Sequence, residues 1–375
     1  MFRPAHAEVD LGALAHNYRV IADAVGSDVG VMAMVKADAY GHGAIPVSKT
    51  LVSCGACALG VATVEEGLEL REAGIDAPVL VMGGLMGMGT PASGVMVNAG
   101  LTPVIHSADV IEPLGMVAHS MGRKVGIHLK IDTGMTRLGM RMESLKGVLE
   151  KLERTPSITV QGVMTHFADS EDAEYTSYQW KEFVRAKNII EERLGSIPVW
   201  HAAPSAAIVR GEGICMSGEC TTWVRPGIML YGAGDDEQTI RDVRPVMKFV
   251  SKVMLIKSVP VGTKVSYGCT FETMRKSRLG IVPVGYADGY PRSFSNKAHV
   301  LVRGQRVPVV GRVTMDMIIV DLTDLGETAV GDEVVLLGAQ AGDAITVQEL
   351  AGWANTITYE VLTSISARVP RLYRE

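Results

Sequence analysis

Eight short apolar runs, separated by longer amphipathic stretches, fill the first two-thirds of this sequence. The runs are Val29–Val35, Ala58–Ala62, Val79–Met82, Leu101–Ile105, Val125–Ile131, Thr159–Thr165, Val199–Ala203 and Val224–Tyr231. Helical patterns such as Glu65–Ala73 and Tyr178–Arg193 lie between them. Strands that alternate with helices predict a parallel sheet. An open doubly wound sheet fits this alternation equally well, and only the count of eight favours a closed (β/α)8 barrel.

The pattern changes around Gly232–Pro245, where Gly-Ala-Gly-Asp-Asp-Glu is typical of a linker. Strand-like runs without long helices follow it, at Met247–Val259, Leu279–Tyr286, Val300–Val310, Ile318–Leu322 and Val334–Leu337. A helical pattern lies near Val347–Ala354. We therefore expect two domains, a barrel over residues 1–240 and a mostly β domain over residues 241–375.

Composition excludes several classes of protein. The net charge of −5 offers no basic field for nucleic acid or for an anionic membrane. The longest apolar runs are too short to span a bilayer, and the first residues contain no apolar signal core, so we expect a cytoplasmic protein. Five cysteines do not make a disulfide framework, and the lone pair Cys54 and Cys57 lacks a second pair or a nearby histidine. We expect no metal site.

Lys36 directly follows the first buried run, in Val35-Lys36-Ala37-Asp38-Ala39-Tyr40-Gly41-His42-Gly43. In a barrel, functional groups lie at the carboxyl ends of the strands. Desolvation at such a position lowers the pKa of a lysine, which suits a Schiff-base lysine. The alternative is a lysine whose stem packs while its ammonium group reaches water.

The stretch Val35–Gly43 resembles the cofactor-lysine motif of alanine racemases. Further segments similar to this family follow in order, at Lys130–Gly139, Thr165–Ala168, Arg225–Gly232, Val265–Gly268, Gly285–Arg292, Gly311–Asp316 and Thr358–Thr363. The resemblance covers nearly the whole chain. It implies pyridoxal 5′-phosphate as cofactor and a barrel followed by a β domain. It also implies interconversion of L-alanine and D-alanine, either for cell-wall precursors or for alanine catabolism.

The resemblance assigns two bases to the reaction. Lys36 would hold the cofactor as a Schiff base and, once released, act as a base at Cα. Tyr267 would be the opposite base, contributed by the second domain of a partner subunit, so that a homodimer shares its active sites. His166 and Arg225 would relay to that tyrosine. Arg225 would also meet the pyridine nitrogen. Arginine offers only hydrogen-bond donors and cannot accept a proton from that nitrogen, so the nitrogen stays unprotonated and transamination is suppressed.

Other residues would bind the cofactor and the substrate by the same resemblance. The phosphate would be held by Tyr40, Tyr359, Ser205 and the backbone amides of Gly227 and Ile228. The substrate carboxylate would be held by Arg137 and by the backbone amide of Met315 from the partner chain. Lys130 matches a lysine that is often carbamylated in the family and orients the arginine.

Two positions depart from the family pattern. Pro204 stands where an asparagine usually precedes the phosphate-binding serine, and Thr136 stands where glycine is common. Because both changes can retune substrate preference, a serine or broad-specificity racemase remains an alternative. A related pyridoxal-phosphate decarboxylase and a non-catalytic cofactor-binding protein are further alternatives. Turnover of alanine against serine, release of carbon dioxide and a catalytically idle imine would distinguish them.

Overall fold

The structure, a computed structural model, describes residues 3–85, 89–216, 219–234 and 241–375. The chain divides into two compact units. The barrel unit comprises Ala15–Ala39 and Ala44–Leu230. The β unit comprises the residues up to Leu14, the short segment Tyr40–Gly43 and the chain from Tyr231 onwards. The β unit therefore takes in two N-terminal segments as well as the C-terminal part of the chain.

Eight parallel strands close on themselves in the barrel unit. Strands are numbered along the chain, and β1 (His6–Asp10) belongs to the β unit. The barrel strands are β2 (Gly30–Met34), β3 (Ala58–Val61), β4 (Val79–Val81), β5 (Thr102–Ile105), β6 (Val125–Lys130), β7 (Ile158–Met164), β8 (Val199–Pro204) and β11 (Trp223–Arg225), and the short strands β9 (Cys215–Met216) and β10 (Glu219–Cys220) pair separately. Because β11 pairs with both β8 and β2, the sheet has no edge. The predicted (β/α)8 barrel is confirmed.

Helices precede and connect the barrel strands. They are Leu11–Val25, Lys36–Gly41, Ala44–Ser53, Val64–Glu72, Gly89–Ala99, Ile111–Ser120, Met142–Glu153, Ala173–Leu194 and Ser205–Arg210, with 3-10 turns at Ala108–Val110 and Ile228–Tyr231. Strands β3 and β4 are buried at every residue. Burial on both faces explains why these strands are uninterrupted apolar runs in the sequence rather than alternating ones.

The eighth predicted strand, Val224–Tyr231, is wrong over most of its length. Strand β11 ends at Arg225, and Ile228–Tyr231 forms a 3-10 turn. Pro226 explains the end, since proline has no backbone N–H to continue a ladder. Part of the predicted linker at Gly232–Pro245 lies outside the described residues, which resume at Arg241.

The β unit contains one large sheet and two small ones. The large sheet has the order β18-β17-β20-β12-β1-β22, with β21 on β20, and the small sheets are β13-β16-β19 and β14-β15. The strands are β12 (Met247–Lys252), β13 (Leu255–Val259), β14 (Lys264–Val265), β15 (Phe271–Glu272), β16 (Ser277–Val282), β17 (His299–Val302), β18 (Gln305–Pro308), β19 (Ile318–Asp321), β20 (Glu333–Gln340), β21 (Asp343–Ile345) and β22 (Arg371–Arg374). Helices Val347–Ala354 and Thr358–Ser364 and 3-10 turns at Tyr267–Cys269, Tyr286–Asp288 and Arg292–Phe294 complete it. The mostly β character predicted for this part of the chain is confirmed.

Tertiary pairing subdivides two of the runs that the sequence joins. The predicted run Met247–Val259 is two strands, since β12 pairs with β1 and β20 whereas β13 pairs with β16. The run Val300–Val310 is the hairpin of β17 and β18. Strand β1 and helix Thr358–Ser364 were not predicted.

Candidate active site

The carboxyl end of the barrel collects most of the charged groups of its interior. In parallel strands, residues paired in register point to the same face, and so do alternate residues along one strand. His128 on β6 bonds across the barrel to His201 on β8, which identifies the inward face. The same alternation brings five side chains to the inward face at or just beyond the strand ends, and we call this set the barrel ring: Lys36, His106, Lys130, His166 and Arg225.

Lys36 is followed by an unusual backbone turn. Ala37, Asp38, Ala39 and Tyr40 all have φ between 52 and 55°. This left-handed conformation costs non-glycine residues roughly 1–2 kcal/mol each. Side-chain carboxylates hold the turn, since Glu66 accepts from the Ala37 amide at 2.7 Å and Asp38 accepts from the Ala44 amide at 2.7 Å. Strain held in place by the surrounding structure is typical of functional sites.

The electrostatics of the barrel ring favour neutral amines and bound anions. Burial and the nearby Arg137 lower the pKa of Lys36, and Glu66 offsets this only in part. Burial, Arg225 and Arg137 lower the pKa of Lys130 to about 8. A neutral amine is the nucleophile that Schiff-base formation needs. An excess of cations also suits ligands that carry phosphate or carboxylate groups.

Arg225 is a buried guanidinium with no carboxylate partner among the described residues. It is 3% exposed, and burial lowers its pKa to about 9. Nη1 meets Nδ1 of His201 at 3.1 Å, and Nη2 meets Nδ1 of His166 at 3.1 Å. Nη2 also donates to the carbonyl oxygens of Thr165 and Ala202, at 2.7 and 2.8 Å. Within the parts of the chain that the structure describes, the Nε–H of Arg225 has no acceptor.

Both imidazoles beside Arg225 are neutral. Burial and the neighbouring cations lower the pKa of His166 well below its usual value, and burial does the same for His201. Because guanidinium offers only donors, Nδ1 of each ring is the acceptor. Each ring therefore carries its proton on Nε2. His201 was missed by the sequence analysis, although its place in a buried strand run was a signal.

His106 was also missed by the sequence analysis. It follows β5, and its Nε2 bonds to the carbonyl oxygen of Met82 at 2.9 Å. Its buried Nδ1 has no hydrogen-bond partner among the described residues. Burial and the Lys130 ammonium lower the pKa of His106 to about 4. This imidazole therefore adds a neutral acceptor to a ring of cations.

Ser205 joins two backbone turns at the same end of the barrel unit. Its hydroxyl oxygen accepts from the Gly227 amide at 2.9 Å and from the Met229 amide at 3.4 Å. Ser205 begins helix Ser205–Arg210, and Ile228 begins a 3-10 turn. Amides at the start of helical turns are suited to bind an anion. Pro204 precedes this helix and gives it no side-chain cap.

The loop that carries Arg137 is held by Asp132. The Asp132 carboxylate accepts from the amides of Gly134 and Thr136, at 3.1 and 3.0 Å. Thr136 has a φ of 54°, in the left-handed region that favours glycine. Thr136 therefore has the backbone conformation of a glycine and is strained. Arg137, the next residue, is exposed.

The β unit holds the remaining predicted site residues in two groups. Tyr40 is buried, with its ring 6.1 Å from that of Tyr359 and 4.9 Å from that of Tyr231. Burial and Tyr359 raise the pKa of Tyr40, so its hydroxyl stays protonated and able to donate. Tyr267 and Met315 are instead 76% and 53% exposed.

These groups fit pyridoxal 5′-phosphate. The unpartnered Nε–H of Arg225 suits an unprotonated ring nitrogen, the amine of Lys36 suits an aldehyde, and the Ser205 turn suits a phosphate.

No group of three or more histidine, cysteine or acidic side chains is placed to hold a metal ion in the described part of the chain. None of the helices described there has the length and apolar character to cross a membrane.

Comparisons with known proteins agree with this arrangement. Residues 9–235 match the alanine racemase N-terminal domain, and residues 246–373 match the alanine racemase C-terminal domain. An alanine racemase from Halothermothrix orenii is 42% identical, over 99% of this chain and 97% of that protein.

Solved structures of alanine racemases extend the agreement to the fold. The Bacillus anthracis enzyme with bound L-Ala-P superposes with a TM-score of 0.91 at 34% identity, covering 100% of this chain and 96% of that one. The Bartonella henselae enzyme with covalently bound pyridoxal phosphate gives a TM-score of 0.85 at 30% identity, covering 99% of both chains. The chain belongs to the alanine racemase family of isomerases.

Proposed function

We propose that the barrel ring of this chain carries out the interconversion of L-alanine and D-alanine, the activity of its family, with pyridoxal 5′-phosphate. The observation that carries this proposal is the carboxylate-free Arg225, which lies among neutral imidazoles in the ring that contains Lys36. A carboxylate at that position would keep the ring nitrogen protonated. A guanidinium donor leaves it unprotonated, which favours return of the proton to Cα.

Each end of the cofactor has candidate partners. Lys36 would form the covalent link to the cofactor, and the Nε–H of Arg225 would serve the nitrogen of its pyridine ring. Ser205, the amides of Gly227 and Ile228, and the hydroxyls of Tyr40 and Tyr359 hold the phosphate. The Gly227 amide donates to Ser205 in this structure, so the two share or exchange that bond when phosphate binds. When bound, the cofactor acidifies the Cα–H of the amino acid by withdrawing electrons.

Two bases on opposite sides of Cα exchange the proton. Lys36 is one of them, and its lowered pKa makes the free amine more available near neutral pH. Tyr267 of a partner subunit is the other. His166, whose Nε2–H is left free to donate by its bond to Arg225, favours the phenolate form of that tyrosine.

Arg137 and the backbone amide of the partner's Met315 bind the substrate carboxylate. Lys130 supports Arg137 after carbamylation, in which its neutral amine adds carbon dioxide and releases a proton, so that an anion replaces a cation beside the guanidinium. Carbamylation requires the neutral amine, and a pKa of about 8 makes that form accessible.

A homodimer accounts for the exposure of Tyr267 and Met315. Both are large side chains for which a single chain provides little cover. We propose that residues 1–240 bind the cofactor and that residues 241–375 complete the partner's site.

The reaction takes place in the cytoplasm, a proposal supported by the free thiols of Cys54, Cys57 and Cys269. Its product enters cell-wall precursors, or the reverse reaction feeds alanine catabolism.

The decisive experiment incubates the purified holoprotein with each L-amino acid and scores the D-enantiomer. We expect alanine to be racemised fastest. Serine turnover equal to that of alanine would establish the broad-specificity alternative. Thr136 and Pro204, which depart from the family pattern, are the reason to consider it. Release of carbon dioxide without a D-product would identify a decarboxylase. An imine that turns over no amino acid would identify a non-catalytic cofactor-binding protein.

A further inference from the structure

A second polar layer lies inside the barrel, below the ring at the strand ends. His128 lies two residues before Lys130 on β6, and His201 on β8 is in register with Met164, two residues before His166. His128 is 2% exposed and His201 is fully buried. Nδ1 of His128 lies 2.8 Å from Nε2 of His201. Buried polar groups destabilise a fold unless they are hydrogen-bonded, so this pair of imidazoles needs an explanation.

The hydrogen bonds in this layer have one direction. Arg225 can only donate, so Nδ1 of His201 accepts from it at 3.1 Å. The proton of His201 is then on Nε2 and is donated to His128. Burial, with the Arg225 charge as the second cause, lowers the pKa of His128 to about 3 and that of His201 well below its usual value. Three groups thus form one chain of donors that runs from Arg225 to His128.

The strand between the two histidines makes room for their contact. His128 on β6 and His201 on β8 are separated by β7, where Gly162 is the residue in register with His128. A Cβ atom at Gly162 would overlap the imidazole ring of His128. The Trp223 ring packs beside both imidazoles, with centroids at 5.7 and 6.1 Å. The position of His128 is therefore built by three neighbouring strands.

We propose that His128 is a positioning residue for Arg225, acting through His201. By accepting from Nε2–H, His128 fixes the tautomer in which Nδ1 of His201 faces the guanidinium as an acceptor. Without that acceptor, His201 is free to carry its proton on Nδ1, where it would oppose the N–H of Arg225. The guanidinium then loses one of the contacts that aim its Nε–H. This inference rests on the role proposed above for Arg225.

The test compares His128→Asn with His128→Leu. The asparagine Oδ1 takes the place of the imidazole Nδ1 and keeps the acceptor, whereas leucine fills the space without one. We expect His128→Leu to lower kcat for alanine about tenfold with little change in KM, and His128→Asn to stay within about threefold of the parent protein. His128→Gln, whose amide reaches the place of Nε2 rather than Nδ1, should behave like leucine and replaces it if the leucine variant does not fold.

A spectroscopic readout separates this proposal from the catalytic one. Long-range 1H–15N spectra of protein labelled with 15N-histidine report the tautomer of His201, with and without cofactor. We expect the Nε2–H tautomer in the parent and in His128→Asn, and its loss in His128→Leu and in Gly162→Ala. Retention of that tautomer in His128→Leu, or equal losses of kcat in the asparagine and leucine variants, would overturn the proposal. A parent protein without racemase activity would defeat the proposed function, while the tautomer measurement would still decide the role of His128.

Discussion

Lowering the pH should destabilise the protein through the two buried imidazoles of the barrel. His128 and His201 are 2% and 0% exposed, and their folded-state pKa values lie at about 3 and well below 6.5. Unfolding exposes both rings to water, where histidine titrates near 6.5. Below that pH the unfolded chain binds protons that the folded chain does not, so the free energy of unfolding falls as pH falls.

The magnitude follows from this difference in proton binding. Between pH 7 and pH 5.5, each ring that stays neutral when folded lowers the free energy of unfolding by about 1.25 kcal/mol, or about 2.5 kcal/mol for the pair. The figure holds because both rings stay neutral in the folded chain over the whole window.

Urea denaturation of the holoprotein at the two pH values, at one protein concentration, measures the total loss, to which His106 and His166 also contribute because their pKa values are lowered in the folded chain. The difference between the parent and a variant that lacks one ring isolates the contribution of that ring. His128→Asn removes one of the two rings, so its loss should be about 1.25 kcal/mol smaller than that of the parent. His119→Asn removes a histidine that is exposed at the end of helix Ile111–Ser120 and serves as the matched control, with the same loss as the parent. Equal losses in the parent and in His128→Asn would refute the reasoning.

Three further predictions test the proposed catalytic groups. Lys36→Ala should abolish the visible absorbance of the bound cofactor and the borohydride-trapped adduct, and a stable adduct on another lysine would contradict that role. Tyr267→Phe should lower racemisation by about a hundred- to ten-thousand-fold while leaving folding intact, because the side chain is 76% exposed. In deuterated water this variant should still exchange the α-proton of D-alanine and nearly stop exchanging that of L-alanine, and continued exchange from L-alanine in an intact dimer would remove Tyr267 from catalysis. Mixing Lys36→Ala with Tyr267→Phe should give activity well above that of either variant alone. No recovery despite measured subunit exchange would rule out sites shared between chains.

Local pattern was sufficient to predict where the strands of the barrel lie. Each of the eight apolar runs overlaps a barrel strand, although the eighth shares only two residues with β11, because a strand buried on both faces must be apolar at nearly every position. The closure of the sheet was less secure from sequence, since helices alternate with strands in open sheets too. Only the pairing of β11 with β2 decides it.

The order of motifs predicted the family, and single residues within those motifs predicted much of the candidate site. Four of the predicted residues come together at one end of the barrel: Lys36, Lys130, His166 and Arg225. Each lies at or just beyond the carboxyl end of a barrel strand, at a position that faces inward. Their roles in the reaction remain proposals. Thr136 was recognised as a departure, but its left-handed backbone required the structure.

Tertiary structure alone decided the features that depend on contacts between distant strands. The sequence shows His128 and His201 as two histidines in separate apolar runs, 73 positions apart. Their bond exists because Gly162 leaves a gap on the strand between them. The same holds for the division of Met247–Val259 between two sheets and for the pairing of β1 with β12. The apolar periodicity of a strand gives the face that it buries, whereas its partners depend on which other strands the folded chain brings beside it.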